Sequence, residues 1–379
     1  MGELMAWPQP KKVTTQVSST ILGDEEKNNL IQVIESGWIG ANGKFSKTVE
    51  SQLTTYFSAT SLLVSNGSVA ISLALKALRI GLGDEVLIPD LTYAATASAV
   101  INAGATPIFC DVDLHSWNIS AEEIQKKITK KTKAIIVVHL YGLPAEITSI
   151  MKVAQNHNLK VIEDCAEAFG ATQNKIKVGT FGSVGTFSFF PNKLITSGEG
   201  GLVTTNDEEI AERMFLLRGQ GMSRTHRYVF LKPGFNFRMS ELQACVLAAQ
   251  FKKLPELWSM RESSENFYRE RLNGYVVESF ASYSHARSPW IFTVRIPNIS
   301  QTAKIKLSSK LAKIGIETRP VFYPLSTMPA FSKYAKTVTS NASTISREGI
   351  SFPTGSHVSE NAKGAIINLV KEFSKNAKH

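Results

Sequence analysis

The sequence is poor in cysteine and has no long apolar run. Its 379 residues include three cysteines, Cys110, Cys165 and Cys245, which lie far apart and lack the spacing of metal ligands. This pattern excludes a disulfide framework and is typical of a reducing compartment. No window approaches the ~18 apolar residues that a membrane-spanning helix needs, and residues 1–12 lack the apolar segment of a signal peptide. The sequence therefore predicts a cytoplasmic protein with no metal site and no membrane partner.

Neither the composition nor the charge is typical of a disordered, fibrous or nucleic-acid-binding protein. Apolar residues make up 43% of the chain and charged residues 20%, as in ordinary globular proteins. The net charge of +10 is spread along the sequence and is densest around residues 126–133, where no nucleic-acid motif accompanies it. A solvated surface accounts for this charge, and the same field attracts small anionic substrates. We expect no nucleic-acid partner.

Strand and helix signals alternate between about residues 61 and 205, which predicts an α/β sheet with helices on both faces. Residues 134–138 (AIIVV) are apolar on both sides of the predicted strand, as a central strand of such a sheet must be. A helix over residues 24–36 and a glycine-rich loop over residues 37–43 precede the sheet. The predicted strands are residues 62–65, 85–88, 106–110, 134–138, 160–163, 185–189 and 201–204.

The C-terminal part of the sequence predicts a second, smaller domain of α+β type. Two predicted helices carry the chain away from the sheet, and a strand and two further helices follow them. These elements are helices over residues 239–251 and 257–272, a strand over 290–296, and helices over 302–314 and 359–374. Because a single core stops growing beyond ~250 to 300 residues, we expect a large domain of residues 1–255 and a small domain of residues 256–379.

One turn combines the features of a phosphate-binding site. Asn66, Gly67 and Ser68 stand between a predicted strand and a helix predicted over residues 69–78. Glycine permits close approach of an anion, serine offers a hydroxyl, and a helix N-terminus presents free N–H groups. The same residues are also common in an ordinary turn and helix cap, and that alternative stays open at this point. No Gly-x-Gly-x-x-Gly or Walker lysine motif lies nearby, which disfavours a dehydrogenase or an NTPase.

Carboxylates and a lysine follow two later strands of the predicted sheet. Asp164 and Glu167 come directly after the strand at residues 160–163, at the edge where open α/β sheets bind ligands. They could hold a metal, a ribose hydroxyl or a protonated ring nitrogen, or they could cap the next helix. Lys193 lies between an apolar strand and the turn at residues 197–201, among hydroxyls, glycines and aromatics. A lysine in such a pocket can have a lowered pKa and act as a Schiff-base nucleophile.

Together these motifs resemble the nucleotide-sugar aminotransferases of the DegT/DnrJ/EryC1/StrS family, which are pyridoxal-phosphate enzymes of fold type I. The resemblance extends from about residue 24 to residue 371. Besides the motifs above, it includes residues 83–93 (GDEVLIPDLTY), 138–142 (VHLYG), 234–244 (GFNFRMSELQA), 315–320 (GIETRP) and 323–325 (YPL). It implies an α/β fold with a large domain, whose mostly parallel mixed sheet is flanked by helices, and a smaller α+β C-terminal domain.

The resemblance assigns four side chains to the ring of the cofactor. Lys193 matches the Schiff-base lysine of the family, and Asp164 matches the carboxylate that keeps the pyridinium nitrogen protonated. Tyr93 matches a residue that stacks on the ring face, and a core aromatic is the alternative interpretation of this tyrosine. Glu167 stands where the family has Gln, His or Glu beside the ring hydroxyl. The implied cofactor is pyridoxal 5'-phosphate, with pyridoxamine 5'-phosphate as its intermediate form.

The phosphate of the cofactor is assigned to residues of two subunits. Ser188, together with the backbone of Gly67 and Ser68, matches the phosphate-binding residues of the family. Ser68 stands where threonine is common, so the hydroxyl is preserved. Asn236 matches the residue that reaches the phosphate in the neighbouring subunit. The resemblance therefore implies a homodimer with shared active sites.

The implied reaction transfers an amino group from L-glutamate to a keto carbon of a nucleotide-linked 4-keto-6-deoxysugar, with Lys193 as base and then as acid. Asn66, Glu167 and Phe189 with Phe190 favour the branch of the family that aminates C-4 of GDP-4-keto-6-deoxymannose. Such reactions supply aminosugars for surface polysaccharide, including the O-antigen of lipopolysaccharide. The alternatives are a 3-aminotransferase, a UDP- or dTDP-linked substrate, and a relative that binds cofactor or sugar without catalysis.

Five residues are candidates for contacts with the substrates. Trp38, in the glycine-rich loop, could line the entrance to the site, or it could anchor the loop as a buried side chain. Arg238 and Arg319 can bind a carboxylate or diphosphate by paired hydrogen bonds, but structural ion pairs use the same residues. Tyr323 and Ser326 belong to a block near the sugar and donor site, where many relatives carry histidine in place of Ser326. Serine in place of histidine at this position concerns which sugar the enzyme accepts, and not the class of reaction.

Overall fold

The computed structural model describes residues 6–280, 285–335 and 339–377, and a seven-stranded sheet lies at its centre. The strands are β1 (Thr60–Val64), β2 (Glu85–Pro89), β3 (Thr106–Cys110), β4 (Thr132–Val138), β5 (Lys160–Asp164), β6 (Thr172–Gln173), β7 (Ile176–Lys177), β8 (Val184–Ser188), β9 (Gly201–Thr205), β10 (His285–Ala286), β11 (Phe292–Arg295), β12 (Arg319–Pro320) and β13 (Gly349–Phe352). The helices are α1 (Asp24–Ser36), α2 (Lys44–Phe57), α3 (Gly67–Ala77), α4 (Ala94–Asn102), α5 (Ala121–Lys127), α6 (Ile147–Asn156), α7 (Glu208–Arg218), α8 (Glu241–Lys252), α9 (Leu254–Leu272), α10 (Gln301–Lys313), α11 (Ser340–Glu348) and α12 (Glu360–Asn376).

The strand order in the large sheet is β1-β9-β8-β5-β4-β2-β3, and the sheet is mostly parallel. β2 pairs in parallel with β3 and β4, β4 with β5, and β5 with β8, whereas β9 runs antiparallel to both β8 and β1. β1 consequently runs parallel to β8, so all strands except β9 point their carboxyl ends toward one edge. The predicted mixed sheet is confirmed, and both ends of each predicted strand lie within two residues of those observed.

Helices cover both faces of this sheet, as predicted. Along β4, Ala134 and Ile136 face a core shared with α3, α4 and α7, whereas Ile135 and Val137 face the opposite core with α5 and α6. α3 is apolar over most of its surface because it packs against the sheet and against α4 and α7. None of the helices in the described ranges is long and apolar enough to cross a membrane.

A three-stranded sheet organises the C-terminal part of the chain. β13 lies between β11 and β12, and α9, α10 and α12 pack against this sheet around Tyr268 and Phe292. The N-terminal segment joins the same core, since Trp7 packs there and the N–H of Thr14 donates to the carbonyl of Gly315. The boundary predicted at residue 255 falls in the first turn of α9, the helix that leads from one core to the other.

The sequence signals do not predict α2, which follows the glycine-rich loop. This helix buries Val49 and Leu53 on one face. Its first N–H groups bond to a side chain of α8: Phe45 donates to Oε2 and Ser46 to Oε1 of Glu241, at 2.8 Å each. The capping group of α2 thus comes from a residue far away in the sequence, and no local capping residue marks its start.

Candidate active site

A cavity of about 1120 Å³ opens at the carboxyl edge of the large sheet. Turns that follow β1, β2, β4, β5 and β8 form its floor and walls, and the segment after β12 closes one side. The structure brings these predicted site residues to the cavity: Gly67, Ser68, Tyr93, Asp164, Glu167, Ser188, Lys193, Arg319 and Tyr323. The predicted residues that do not line it are Trp38, Asn236, Arg238 and Ser326.

The turn after β1 forms a cradle for an anion at one end of the cavity. Asn66 caps α3 by accepting the N–H of Val69 at 2.9 Å. The N–H groups of Gly67 and Ser68 belong to the first turn of α3, where no helical acceptor exists. Ser188, at the end of β8, lies opposite, since a Cβ built on Gly67 would approach the Ser188 Cβ to 2.8 Å. The cradle therefore requires glycine at position 67 and offers N–H groups and hydroxyls to an anion.

The resemblance assigns the phosphate of pyridoxal phosphate to this turn, so we expect Gly67→Ala to weaken binding of that cofactor about tenfold or more, because overpacking costs ~1–3 kcal/mol. The added methyl group would displace Ser188 from the cradle. Titration of the apo protein with pyridoxal phosphate, followed by absorbance, measures the change. Gly364→Ala is the matched control, since a Cβ at this position of α12 meets nothing within 4 Å. An unchanged affinity in Gly67→Ala would contradict a phosphate-binding role for this turn.

Asp164 is a buried carboxylate on the floor of the cavity. It ends β5, where the hydroxyl of Thr96 donates to Oδ2 at 3.1 Å and the N–H of Ala166 donates to Oδ1 at 3.2 Å. Burial raises the pKa of Asp164, and these two donors and the charge of Lys193 oppose the rise. A carboxylate in this position gains most from a cation beside it, such as a protonated ring nitrogen. Sequence reasoning missed Thr96, which stands in the first turn of α4 without a motif of its own.

Lys193 lies on the irregular segment after β8, and its amine is buried among charged groups. Burial lowers the pKa of Lys193. The carboxylates of Glu167 and Asp164 oppose this shift, whereas the cations of Arg261 and Arg319 reinforce it. A lowered pKa increases the neutral fraction of the amine, which is the nucleophilic and basic form. The lowered pKa is the one that the sequence predicts for this lysine, and its role as the Schiff-base nucleophile stays a prediction.

Glu167 is a second buried carboxyl group beside the lysine. Its Oε2 accepts the N–H of Tyr141 at 2.7 Å. Burial raises the pKa of Glu167, and the charge of Lys193 and this N–H oppose the rise. Tyr141 adopts a left-handed backbone conformation with φ 49°, and its ring stacks between Trp290 and Phe322 at centroid distances of 5.8 and 5.5 Å. A carboxyl group with a raised pKa can donate a hydrogen bond as well as accept one.

Aromatic and basic side chains form the wall of the cavity above these carboxylates. Tyr93 is 62% exposed, and its ring centroid lies 6.0 Å from that of Phe322. Arg319 and Tyr323 reach the cavity from β12 and the segment after it, in the C-terminal part of the chain. The Nε of Arg319 lies 3.4 Å from Oε1 of Glu317. The exposure of Tyr93 contradicts the core-aromatic interpretation and leaves its ring available to a ligand.

Ser326 is buried away from the cavity, where it holds the cavity wall in place. Its N–H and hydroxyl donate to Oδ1 and Oδ2 of Asp90 at 2.7 and 2.5 Å, and Thr339 donates to the same carboxylate. The N–H of Leu325, which lines the cavity, donates to the carbonyl of Asp90 at 2.8 Å. The expected substrate contact of Ser326 has no support in this geometry, because the polar atoms of Ser326 bond within the fold.

The other three predicted residues outside the cavity lie at the surface. Trp38 is 59% exposed and donates to the carbonyl of Ala41 in its own loop at 3.1 Å, so it is not a buried anchor. Asn236 is exposed, and its Oδ1 accepts from Arg238 at 3.5 Å. Arg238 forms no ion pair with any described carboxylate, and its Nε is buried without a hydrogen bond among the described residues. None of the three lines the cavity of its own chain.

A buried cluster near the end of β5 contains three groups that could bind a metal ion: His139, Glu163 and Cys165, whose ligand atoms lie within 4.8 Å of one another. Hydrogen bonds within the fold already engage the histidine and the carboxylate. The N–H of Ala145 donates to Nδ1 of His139 at 3.0 Å, so Nε2 carries the hydrogen that Glu163 accepts at 3.2 Å. Glu163 also accepts backbone N–H groups of residues 179, 181 and 182 at 2.7 to 2.8 Å. These groups are used within the fold, and the absence of a metal site stays a prediction.

The residues present fit pyridoxal phosphate. The cradle at Gly67 admits an anion because no Cβ fills it. On the same cavity, Asp164 supplies a buried carboxylate for a ring nitrogen, and Lys193 supplies a buried amine for an aldehyde. A phosphate group, a basic ring nitrogen and an aldehyde are the three features of this cofactor. The fold and the site thus define the class of pyridoxal-phosphate-dependent aminotransferases.

The sequence profile of the DegT/DnrJ/EryC1/StrS aminotransferase family matches residues 20–371, and the chain belongs to this family. It is 38% identical to the GDP-perosamine synthase of Caulobacter vibrioides, over 91% of this chain and 94% of that protein. It is 39% identical to the GDP-perosamine synthase of Escherichia coli O157:H7, over 93% of this chain and 96% of that protein. The crystal structure of the aminotransferase TlmJ from Streptoalloteichus hindustanus superposes with a TM-score of 0.89 at 25% identity, over 96% of this chain and all of the other.

These comparisons confirm the family, the fold class and the cofactor that the sequence predicts. The protein is a pyridoxal-phosphate-dependent sugar aminotransferase. The resemblance to one branch of the family is also confirmed, because GDP-perosamine synthases are among the relatives of this chain at 38 and 39% identity.

Proposed function

We propose that this enzyme transfers the amino group of L-glutamate to C-4 of GDP-4-keto-6-deoxymannose and so forms GDP-perosamine. The observation that carries the proposal is the meeting of Lys193, Asp164 and the Gly67 cradle in one cavity. Identities of 38% and 39% to GDP-perosamine synthases over nearly the whole chain support the choice of sugar and of carbon atom.

The proposed role of Lys193 is to move a proton between carbon atoms. Bound pyridoxal phosphate supplies an electron-accepting ring, which stabilises the charge left on carbon when a proton leaves it. Because burial lowers its pKa, the Lys193 amine is neutral more often than an exposed lysine, and the neutral amine accepts the proton of the donor Cα. Lys193 would then pass this proton to the cofactor carbon that carries the amino group, which leaves its amine neutral again. In the second half of the cycle Lys193 would take a proton from the same carbon and donate it to C-4 of the sugar. One side chain therefore acts as base and then as acid in each half of the cycle.

The proposed role of the other cavity residues is to hold the cofactor during this exchange. Asp164 keeps the ring nitrogen protonated, and two hydrogen bonds fix the orientation of its carboxylate. The backbone N–H groups of Gly67 and Ser68 and the hydroxyl of Ser188 bind the phosphate. Tyr93 covers a face of the ring, for which its exposure leaves it free.

The rest of the cavity suits a nucleotide-linked deoxysugar. Arg319 and Tyr323 provide polar atoms on one wall, and Leu325, Met328 and Phe331 form apolar surface beside them. A 6-deoxysugar carries a methyl group where an ordinary hexose has a hydroxyl, and apolar side chains favour the methyl group. The net charge of +10 also favours the approach of an anionic nucleotide diphosphate and of glutamate.

We also propose a homodimer in which Asn236 completes the active site of the partner subunit. The segment before Asn236 exposes four consecutive apolar side chains, Tyr228, Val229, Phe230 and Leu231, at 71, 46, 55 and 61%. Contiguous apolar side chains of this kind mark contact surfaces. Asn236 itself is exposed and lies outside the cavity of its own chain, as a residue with a role in the neighbouring subunit should.

A mixing experiment tests the shared site. Asn236→Ala should weaken cofactor binding by roughly tenfold to a hundredfold, because a hydrogen bond to a charged group contributes about 1.5–3 kcal/mol. Co-expressed Lys193→Ala and Asn236→Ala chains, carrying different tags, should form heterodimers in which one of the two sites has both wild-type residues. Heterodimers should therefore recover about half of the wild-type activity at limiting cofactor. The negative control pairs Asn236→Ala with a chain that carries both substitutions, because no site in that heterodimer has both wild-type residues. Equal activity in the two mixtures would contradict the shared site.

We further propose that the product enters bacterial surface polysaccharide, such as the O-antigen of lipopolysaccharide, and that the reaction takes place in the cytoplasm. The identity to GDP-perosamine synthases supports the first statement. Unpaired, buried cysteines at positions 110, 165 and 245 support a reducing compartment.

An assay with several nucleotide sugars tests the proposed reaction. Purified enzyme, pyridoxal phosphate and L-glutamate are incubated with GDP-4-keto-6-deoxymannose or with the dTDP- and UDP-linked 4-keto-6-deoxyglucoses, and NMR locates the new C–N bond. We expect amination at C-4 and a kcat/KM at least ~10-fold higher for the GDP sugar. Amination at C-3 or a preference for another base selects the corresponding alternative. Covalent cofactor without turnover of any sugar supports a non-catalytic relative.

A further inference from the structure

Arg261 of α9 is a buried arginine. Its hydrogen bonds converge on the backbone of the lysine segment, residues 191–193. Its side chain is only 7% exposed, and no carboxylate in the described part of the chain forms an ion pair with it. Burial lowers the pKa of Arg261 to about 10, which the charge of Glu265 opposes. Because burying a guanidinium without an ion pair is unfavourable, its hydrogen bonds must provide the compensation.

The guanidinium bonds to the residue that carries the reacting amine. Nη2 donates to the carbonyl of Lys193 at 2.7 Å, and Nη1 donates to the carbonyl of Asn192 at 3.2 Å. Nη1 also donates to the carbonyl of Trp290 at 3.0 Å, and Nη2 to the hydroxyl of Ser18 at 3.4 Å. One planar side chain thus joins the lysine segment to the segment before β11 and to the N-terminal segment.

Trp290 completes this connection from the other side. Its Nε1 donates to the carbonyl of Asn192 at 2.8 Å, and the Nζ of Lys193 lies 4.2 Å from the centroid of its indole ring. The same tryptophan therefore holds the backbone of the lysine segment and contacts the end of the lysine side chain.

The lysine segment depends on such external donors because it has no regular secondary structure. The carbonyl of Pro191 accepts from the hydroxyl of Thr20 at 2.8 Å, and the carbonyls of Asn192 and Lys193 accept from Arg261. Three consecutive carbonyls are thus held by side chains from other parts of the chain. Without these donors, neither a helix nor a strand would fix the direction of the Lys193 side chain.

We propose that Arg261 is a positioning residue, which together with Trp290 fixes the backbone of Lys193 so that its amine stays at the reacting atoms. This inference rests on Lys193 being the reacting amine of the proposed reaction. Arg261 does not line the cavity, so we expect its effect to pass through Lys193, whose carbonyl it bonds. A displacement of about 1 Å at a reacting group can lower a rate ~100-fold, which sets the expected size of the effect.

Besides its hydrogen bonds, the positive charge of Arg261 affects the pKa of Lys193. Among the charges that act on the amine of Lys193, the carboxylates of Glu167 and Asp164 raise its pKa, and the cations of Arg261 and Arg319 lower it. Removal of the Arg261 charge should therefore raise the pKa of Lys193 and shift its neutral form to higher pH. A lysine at position 261 keeps the charge but loses the fork of donors.

Two variants of Arg261 separate position from charge. In Arg261→Lys, we expect kcat to fall about 100-fold while KM for the nucleotide sugar changes less than about threefold. The rate at which apo protein attaches pyridoxal phosphate covalently, followed against pH, should keep its midpoint in Arg261→Lys and move to higher pH in Arg261→Met. Trp290→Phe, which keeps the ring but loses the donor to Asn192, should lower kcat in the same direction if Arg261→Met fails to fold.

Arg271→Met is the matched control, because Arg271 lies on the same helix with its side chain 46% exposed. It should keep kcat and the pH midpoint of the wild type. Variants of Arg261 that lose only resistance to urea, with kcat and attachment unchanged, would overturn the proposal and leave a scaffold role. A rise in KM with unchanged kcat would also overturn it. Since the attachment assay uses pyridoxal phosphate without any sugar, its rate and pH midpoint test the role of Arg261 even if the sugar assignment is wrong.

Discussion

Replacing Lys193 with alanine is expected to lower kcat by at least ~10³-fold and to abolish covalent attachment of pyridoxal phosphate. The amine is buried, and among the residues that the structure describes no second lysine lines the cavity to take over its proton transfers. The cradle at Gly67 and the carboxylate of Asp164 remain in the variant, so the cofactor should still bind without a covalent bond. Borohydride reduction followed by mass spectrometry of the peptides measures attachment, and steady-state kinetics with L-glutamate measure kcat.

The matched control for this prediction is Lys152→Ala, which changes an exposed lysine of α6. It should keep attachment and kcat at wild-type values. Recovery of the reduced cofactor on a different lysine would show that Lys193 is not the reacting amine. Unchanged turnover in Lys193→Ala would contradict the acid-base role. Loss of folding is distinguished by the urea midpoint of the apo protein.

The carboxyl edge of the sheet accounts for the part of the site that the sequence predicts. Gly67, Asp164 and Ser188 each stand at or just beyond the end of a strand, and the structure shows these strands to be parallel. Parallel strands end at one edge, so residues distant in sequence meet there without any further information. Local hydrophobic patterning identified the strands, and the residues at their ends identified the edge that binds the ligand.

Contacts between distant side chains and the backbone account for what the sequence does not reveal. Arg261 bonds to the carbonyl of a lysine 68 positions away. Ser326 bonds to a carboxylate 236 positions away, and Glu241 caps α2 from a distance of 195 positions. Such bonds depend on how the elements pack, and neither partner carries a local signal of the other. The prediction of Ser326 as a substrate residue rests on its neighbours in the sequence, whereas its hydrogen bonds are to Asp90, which is distant in the sequence.

Three predicted site residues lie near the surface and do not line the cavity of their own chain. Trp38 and Asn236 are exposed, and Arg238 stands beside Asn236, all outside the cavity of their own chain. Residue types that suit substrate binding can be identified in a sequence, but the subunit whose ligand they contact cannot. The apolar segment around Tyr228 lies close in sequence to Asn236 and Arg238, which links their role to the proposed dimer contact.

Asp164→Asn is expected to lower kcat/KM roughly 10²–10⁴-fold, because loss of one partner of a buried charge pair costs about 3–5 kcal/mol and each ~1.36 kcal/mol is tenfold. Asparagine has the same shape, and its oxygen can still accept the N–H of Ala166. What disappears is the charge that keeps the ring nitrogen of the cofactor protonated. Because burial raises the pKa of Asp164, the apo variant should be at least as resistant to urea as the wild type. The variant should therefore lose activity without losing resistance to urea.

Two further variants separate the charge of Asp164 from its orientation. Thr96→Val removes the hydroxyl that donates to Oδ2 and should cost about tenfold in kcat, since the carboxylate stays but loses one constraint. Asp207→Asn makes the same chemical change at the cap of α7, where asparagine caps as well as aspartate, and it should be neutral. If Asp164→Asn kept the wild-type kcat/KM, the ring nitrogen would not need its proton in this enzyme. If it lost stability as well as activity, the carboxylate would serve the fold first and the cofactor only through it.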